Sequence, residues 1–180
     1  MIKPLSTKFK DVKFFELKSY SDLRGNFKEV YNDDIKSLVG RNIKFIQDNE
    51  SFSNYGVLRG LHYQKKPFEQ SKLIRVPYGM IQDVIVDIRP DSSTYGLWDS
   101  FEISSENGRV LFLPKGFAHG FLVLSKIAIV NYKVDNIYKP SSESGINYND
   151  PNLKIDWTLD PSEIITNDKD ITYCSFNDIK

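Results

Sequence analysis

The chain contains only two histidines, His62 and His119, and each lies in a glycine-rich segment. An imidazole changes charge near neutral pH, so either histidine could act as a general base. His62 belongs to segment 56–64, GVLRGLHYQ, in which Arg59 and His62 would point to opposite faces of a regular strand. Gly60 lies between them and permits a bulge that could turn both side chains into one cavity. A single histidine at a strand end more commonly has a structural role than a catalytic one.

The two histidines could also be ligands of a metal ion. Metal-binding β-barrels of the jelly-roll type usually supply two or three histidines and a carboxylate. Here Gln64 stands two positions after His62, where such proteins commonly carry a second histidine. Two imidazoles and an undefined carboxylate are a thin ligand set, and the single cysteine, Cys174, excludes a site built on several thiolates. The sequence therefore predicts no metal site.

Two further side chains could take part in proton transfer or anion binding. In segment 70–76, QSKLIRV, strand alternation places Lys72 on the same face as Ile74. Tyr132 ends an alternating apolar set that begins at Ala128, so its ring should point inward. For Tyr132 by itself, core filling with a hydrogen-bonded hydroxyl is the ordinary explanation.

The composition limits the classes of protein to which the chain can belong. Its 180 residues suit one domain, and we expect a single domain over 1–180. Because 24 basic residues balance 24 acidic ones, the net charge is zero, which argues against a nucleic-acid binder. The longest apolar runs, such as 121–124, have four residues, whereas a membrane span needs about twenty. The N-terminus lacks the apolar core of a signal peptide, and one cysteine fits a reducing environment, so we expect a cytoplasmic protein without membrane contacts.

Short runs of β-branched and aromatic residues, separated by turn residues, predict an all-β protein. The predicted strands are 12–17, 27–31, 44–47, 73–76, 81–88, 98–103, 110–113, 121–124 and 127–133. Asn107-Gly108 predicts a tight hairpin because both residues tolerate positive φ. A helix is predicted at 33–39, where acidic residues stand in the first turn and Gly40 follows the end. A polar surface loop is predicted at 139–150, and a short turn or helix at 164–170.

This arrangement of strands predicts a sandwich or barrel with few short helices. Strand 81–88 lacks clean polar–apolar alternation, so both of its faces should be mostly covered. A jelly roll with further structure or a partner subunit packed outside one sheet would cover them.

Together these segments resemble the dTDP-4-dehydrorhamnose 3,5-epimerase family of sugar-nucleotide enzymes, which have a cupin-type jelly roll. The resemblance covers nearly the whole chain, and it depends on the number, order and spacing of the segments rather than on any one of them. The matching segments are 22–29, 45–49, 56–64, 72–76, 83–89, 114–125, 131–133, 149–151 and 168–170. The family's usual serine-acid-lysine-aspartate ending appears here as Asn167-Asp168-Lys169-Asp170, which keeps the lysine and the aspartate.

The resemblance implies a chemistry for four side chains. The substrate would be a nucleotide-linked 4-keto-6-deoxyhexose, whose ketone acidifies the hydrogens on carbons 3 and 5. His62 would be the general base, with Asp170 orienting its ring, and Tyr132 the acid on the opposite face. Lys72, together with Arg59, would stabilise the enolate oxygen. Because the ketone is the activating group, the resemblance implies neither a metal nor another cofactor.

The resemblance also implies residues that bind the nucleotide sugar. Cationic or donor contacts to the diphosphate would come from Arg24, Arg59, His119 and Lys169. Phe27 and Tyr138 are candidates for stacking on the base. Candidates for hydrogen bonds to the base and sugar are Glu29, Gln47, Asp48, Asn49 and Glu143. In this family the N-terminal segment commonly packs on a partner subunit, which predicts a homodimer in which residues 1–31 contact the neighbouring subunit.

Three functions remain open on the sequence. The leading hypothesis is an epimerase, hence an isomerase, that inverts carbons 3 and 5 of dTDP-4-dehydro-6-deoxy-D-glucose and gives dTDP-4-dehydro-L-rhamnose for surface polysaccharide synthesis. A close alternative is an epimerase that inverts one carbon or acts on another nucleotide-linked 4-keto hexose or heptose. A third is a jelly roll that binds a sugar nucleotide without catalysis; it would show affinity without proton exchange.

Overall fold

Two antiparallel sheets make up the body of the molecule, which a computed structural model describes over residues 2–179. The strands are β1 Lys3–Leu5, β2 Lys13–Glu16, β3 Tyr20–Asp22, β4 Gly25–Phe27, β5 Gln47–Asn54, β6 Leu58–Gln64, β7 Lys72–Tyr78, β8 Met80–Asp87, β9 Trp98–Ser104, β10 Arg109–Leu113, β11 Phe117–Val123, β12 Ile127–Val134 and β13 Glu143–Gly145. The α-helices are α1 Asp33–Val39 and α2 Asp168–Ile171, and short 3₁₀ helices lie at Pro140–Ser142, Pro161–Glu163 and Phe176–Asp178.

The strand order confirms the predicted all-β jelly-roll class. One sheet has the order β1-β2-β10-β7-β12-β5 and the other β13-β6-β11-β8-β9, while β3 and β4 form a separate two-stranded ribbon. Side chains from both sheets form a shared apolar core, in which Ile74 and Val130 of the first sheet belong to the same cluster as Ile85 and Val123 of the second. The sheets therefore pack face to face and bury the alternate residues of each strand.

The outer face of the five-stranded sheet around β8 is covered, as the sequence of β8 predicted, and helix α1 covers part of the six-stranded sheet. Helix α1 packs Ile35 and Val39 on Phe112 and its neighbours in the six-stranded sheet. The C-terminal part of the chain packs Leu153 and Phe176 against Val84 and its neighbours in the five-stranded sheet. This covering explains why β8 is apolar on both faces.

Several predicted elements agree with the structure, and four do not. The polar surface loop predicted at 139–150 is wrong in part, because it contains strand β13 and the buried side chain of Ile146. Helix α1 spans the predicted residues, and Asn32 caps it by accepting a hydrogen bond from the Ile35 N–H. The predicted strands 27–31 and 44–47 are wrong, because the chain is strand only up to Phe27 and again from Gln47. The strand from Gln47 to Asn54 shows no apolar alternation, and its side chains are mostly exposed.

The hairpin predicted at Asn107-Gly108 is also wrong, although the turn itself is present. Gly108 has a φ of 60°, and the Asn107 side chain accepts hydrogen bonds from the Ser104 and Arg109 N–H groups. The strands on either side, β9 and β10, belong to different sheets. The predicted turn chemistry is therefore correct, but tertiary pairing sends the two strands to opposite layers.

None of the helices described within residues 2–179 has the length and apolar character needed to cross a membrane.

Candidate active site

A cavity of about 1300 Å³ is lined by side chains from both sheets. The five-stranded sheet contributes His62 and Gln64, and the six-stranded sheet contributes Lys72 and Tyr132. Gln47 and Asn49, at the start of β5, also line it. The fold therefore brings an imidazole, an ammonium group and a phenol to one cavity from strands that are far apart in sequence.

His62 forms a dyad with Asp170, 108 residues away in the chain. His62 Nε2 lies 2.7 Å from Asp170 Oδ1, and the other carboxylate oxygen accepts the Gly60 N–H at 3.1 Å. Asn167 caps the short helix α2 by accepting a hydrogen bond from the Asp170 N–H. This cap fixes the backbone of Asp170 and so holds its carboxylate next to His62. Asp170 is 1% exposed, so it is desolvated except for these donors. A carboxylate partner makes Nε2 the protonated nitrogen and leaves the Nδ1 lone pair as the basic atom.

The bulge predicted at Gly60 is present. His119 pairs with His62 and Phe121 with Arg59, so the pairing of β11 with β6 shifts by one residue. Gly60 has a φ of 140°, and a Cβ there would lie 2.4 Å from the Gly120 Cα. Glycine is therefore required where the two backbones meet.

Arg59, on the far side of this bulge, does not line the cavity. Its guanidinium is exposed and donates to the Ser53 hydroxyl at 3.0 Å. Of the predicted pair, His62 lines the cavity, and the charge of Arg59 still acts on the cavity residue Tyr132. Substrate contacts by Arg59 stay a prediction.

Lys72 lies at the end of a buried polar chain. Its Nζ is 3.4 Å from His119 Nδ1, and His119 Nε2 is 2.9 Å from Asp83 Oδ2. Burial lowers the pKa of Lys72 to about 8, against the opposing charges of Asp83 and Glu143. Burial also lowers the pKa of His119, which favours a neutral ring that donates to Asp83 and accepts from the Lys72 ammonium group.

Tyr132 faces inward, as its alternation with Ala128 and Val130 predicted, and packs at the edge of the core shared by the two sheets. Its ring centroid is 6.0 Å from Lys72 Nζ. Burial raises the pKa of the Tyr132 phenol above its ordinary value of about 10, although the Arg59 charge opposes the shift. The phenol therefore stays protonated at neutral pH and can donate a proton.

A second polar cluster, formed by Tyr138, Glu143 and Lys169, borders the cavity. Tyr138 donates to Glu143 Oε2 at 2.6 Å, and Lys169 Nζ donates to the same oxygen. Burial acts to raise the pKa of Glu143, but the hydrogen bonds from Lys169 and Tyr138 outweigh it and hold the pKa below its usual value. The cluster presents a carboxylate, a phenol ring and a cation side by side.

The geometry can be compared with known proteins. The family model for dTDP-4-dehydrorhamnose 3,5-epimerase matches residues 6–178. The chain belongs to the dTDP-4-dehydrorhamnose 3,5-epimerase family.

Individual members of the family resemble the chain over most of its length or all of it. The dTDP-4-dehydrorhamnose 3,5-epimerase of Shigella flexneri is 45% identical over 97% of this chain and 96% of its own. The enzyme of the same name from Methanothermobacter thermautotrophicus is 50% identical over 84% of this chain and 82% of its own. The crystal structure of dTDP-6-deoxy-D-glucose-3,5-epimerase from Legionella pneumophila, in complex with dTDP-4-keto-L-rhamnose, superposes with a TM-score of 0.95 at 42% identity, covering 100% of this chain and 95% of that chain.

Not all residues that the family resemblance singled out lie at the cavity. Arg24, Phe27 and Glu29 are on or just after the β3–β4 ribbon, where Arg24 pairs with Asp22 and Glu29 accepts from Asn32. Asp48 alternates with Gln47 and Asn49 and therefore points away from them, forming an ion pair with Lys133. Substrate contacts by these four residues stay predictions.

The sequence analysis did not identify two buried carboxylates, Asp83 and Asp87, that lie near the candidate active site. Asp83 is fully buried, and its Oδ1 has no hydrogen-bond partner among residues 2–179. Asp87 accepts hydrogen bonds from Arg89, Ser92 and Thr94 and so orders the loop that forms one wall of the cavity. Asp83 interrupts the buried strand β8 and Asp87 ends it, and their place in a largely apolar segment was the available signal, because acids are seldom fully buried unless they are paired.

Across the described part of the chain, no three or more His, Cys, Asp or Glu side chains form a group that could hold a metal ion.

Proposed function

We propose that this chain catalyses epimerisation at carbons 3 and 5 of dTDP-4-dehydro-6-deoxy-D-glucose, giving dTDP-4-dehydro-L-rhamnose for surface polysaccharide synthesis. The observation that carries the proposal is that His62 and Tyr132 line the same cavity from opposite sheets, with Lys72 beside them. Relatives of the family carry this activity in their names. A pyranose bound between the imidazole and the phenol would have one proton-handling group on each face.

The first step would be removal of a proton from the carbon next to the ketone. His62 Nδ1 takes the proton, and the electron pair of the C–H bond moves to the ketone oxygen to form an enolate. The resulting imidazolium is stabilised by Asp170, whose second oxygen is already held by the Gly60 N–H. The dyad therefore keeps the base in one orientation and offsets the charge that it gains.

Lys72 would stabilise the enolate oxygen. A fixed cation in a desolvated site lowers the barrier because it needs no reorganisation as charge develops. His119 accepts from the Lys72 ammonium group on one side and is held by Asp83 on the other, which positions the charge. His119, predicted to bind diphosphate, would instead act through Lys72.

Tyr132 would complete each inversion by donating its proton to the opposite face of the enolate carbon. The Tyr132→Phe substitution should therefore lower the rate of net inversion more than the rate of proton removal. We expect inversion to slow about a hundred-fold, while deuterium from the solvent still enters recovered substrate through His62. Measuring product formation and deuterium incorporation in the same sample gives the rates of inversion and of proton removal separately.

Tyr78→Phe is the matched control for Tyr132→Phe, because Tyr78 is 59% exposed and lies outside the cavity lining. It should leave both rates unchanged. Equal loss of exchange and inversion in Tyr132→Phe would contradict a role for Tyr132 as proton donor alone.

The proposed activity is tested by incubating the protein with dTDP-4-dehydro-6-deoxy-D-glucose in deuterium oxide and following the sugar by NMR. Deuterium should appear at both carbon 3 and carbon 5. Exchange at a single carbon would identify an enzyme that inverts one centre, and nucleotide binding without exchange would identify a non-catalytic binding protein. The same assay with other nucleotide-linked 4-keto sugars determines the substrate.

The nucleotide would extend from the sugar towards the Tyr138–Glu143–Lys169 cluster. The Lys169 ammonium group suits a diphosphate and the Tyr138 ring suits stacking on a base, while Gln47 and Asn49 offer hydrogen bonds. These contacts are proposals, supported by the lining of the cavity and by the cluster beside it.

We propose that the β3–β4 ribbon packs on a second copy of the chain. All six of its strand residues are exposed, and Tyr20 and Phe27 present large apolar rings to solvent. Arg24, Phe27 and Glu29 would then reach the partner's site rather than their own.

We also propose that the protein is located in the cytoplasm, because a single cysteine fits a reducing compartment.

A further inference from the structure

The segment that follows helix α2 is fixed beside strand β13. Ile146 and Cys174 form a parallel bridge, and the Asn147 N–H donates to the Cys174 carbonyl at 3.0 Å. The Asn147 side chain donates to the Ile171 carbonyl at 2.9 Å. These bonds hold Tyr173 directly beside Gly145.

Gly145 and Tyr173 fit together next to the candidate base. Gly145 is the residue of β13 that pairs with His62 in the sheet register. A Cβ at Gly145 would lie 2.5 Å from two carbons of the Tyr173 ring, so only glycine leaves room for the ring. Tyr173 therefore occupies the space that the cross-strand neighbour of His62 would otherwise fill.

The Tyr173 ring meets the His62 ring edge to face. Their centroids are 5.7 Å apart, and the planes are inclined at 72°. His62 is among the residues that line the cavity and Tyr173 is not, so Tyr173 contacts the imidazole without forming part of the cavity wall. Asp170 and Tyr173 thus hold the same ring, one by a hydrogen bond and the other by packing.

We propose that Tyr173 is a positioning residue that holds the His62 ring in the orientation needed for proton removal. A single hydrogen bond to Asp170 still lets the imidazole pivot, and the aromatic contact restricts that motion. Proton transfer depends steeply on such placement, since a shift of about 1 Å can lower a rate a hundred-fold. The kinetic part of this inference rests on the proposed epimerase activity.

The ring of Tyr173, rather than its hydroxyl, carries this role. The hydroxyl is buried and makes no hydrogen bond within residues 2–179. Tyr173→Phe keeps the ring and is therefore the matched control. Tyr173→Leu fills much of the same volume without an aromatic edge and guards against an unfolded Tyr173→Ala protein.

In the kinetic test, Tyr173→Leu and Tyr173→Ala should lower kcat about ten- to a hundred-fold with KM changed less than about two-fold. KM should hold because Tyr173 is not part of the cavity lining. Tyr173→Phe should keep kcat within about two-fold of the wild type. Equal loss in Tyr173→Phe, or a rise in KM at unchanged kcat, would overturn the proposal.

A spectroscopic test does not depend on the reaction. With ¹⁵N-labelled histidine the chain has only two imidazoles, and the His62 signals are those that disappear in His62→Asn. In the wild type and in Tyr173→Phe, the two ring nitrogens of neutral His62 should give the widely separated signals of one tautomer. In Tyr173→Leu they should move towards each other as tautomers and orientations mix. Unchanged His62 signals in Tyr173→Leu would refute the positioning role, whether or not the wild type shows proton exchange.

Discussion

His62→Asn should abolish deuterium exchange at carbons 3 and 5 together. We expect a loss of about 10⁴-fold, because the substitution removes the cavity-lining imidazole that acts as the base in the proposed mechanism. Both carbons should be affected because one base serves both proton removals. The measurement is the solvent-exchange assay, read separately at each carbon by NMR.

His62→Gln is the companion variant, because its Nε2 amide group reaches the position of the imidazole Nε2 and can still donate to the buried Asp170 carboxylate, which His62→Ala would leave without its partner. Thermal unfolding of His62→Gln should therefore stay close to that of the wild type, while His62→Ala should be less stable. Retention of exchange at one carbon would mean that a second base serves that centre, and the single-base mechanism would be wrong.

Lys72→Met should lower the rate about 10³-fold, because the enolate oxygen would lose the cation that stabilises it in a buried site.

The activity of the wild type should also depend on pH because of Lys72. Lys72 carries its charge below its pKa of about 8 and loses it above, so kcat/KM should fall as the pH rises through about 8. Tyr132 does not titrate in this range, because burial raises its pKa further above 10.

Lys126→Met is the control for Lys72→Met, since Lys126 is exposed and lies outside the cavity lining. It should keep both the wild-type rate and the alkaline decline. Lys72→Met should lose that decline together with the rate. If the decline near pH 8 persists unchanged in Lys72→Met, another group is responsible for it and Lys72 does not supply the charge that the reaction needs.

Much of the fold could be predicted from local patterns. The helix at 33–39 could be located because its acidic first turn and Gly40 at its end are local signals within a few residues of each other. Strands such as β8 and β12 could be recognised because β-branched residues recur along them. The strand Gln47–Asn54 was placed wrongly because one of its faces lines a polar cavity and the other is mostly exposed, which removes the apolar signal.

The family resemblance indicated the catalytic candidates, and the residue types by themselves indicated only what each could do. Imidazole, phenol and ammonium groups have fixed intrinsic chemistry, so their roles as base, acid and cation follow from type. The inward direction of Tyr132 follows from its alternation with Ala128 and Val130, because successive side chains of a strand point to opposite faces. Gly60 indicated the bulge, because only a residue without a side chain allows that approach to Gly120.

The family resemblance indicated that Asp170 meets His62, and the tertiary structure explains how these and other distant groups come together. Asp170 reaches His62 across 108 residues because α2 packs against β6. Asp83 is linked through His119 to Lys72 because β8 and β11 are neighbours in one sheet. The lowered pKa of Lys72 and the contact of Tyr173 with His62 likewise arise from burial and packing between distant segments. Contacts of this kind depend on how strands are ordered in space, and the spacing of residues along a chain carries no record of that order.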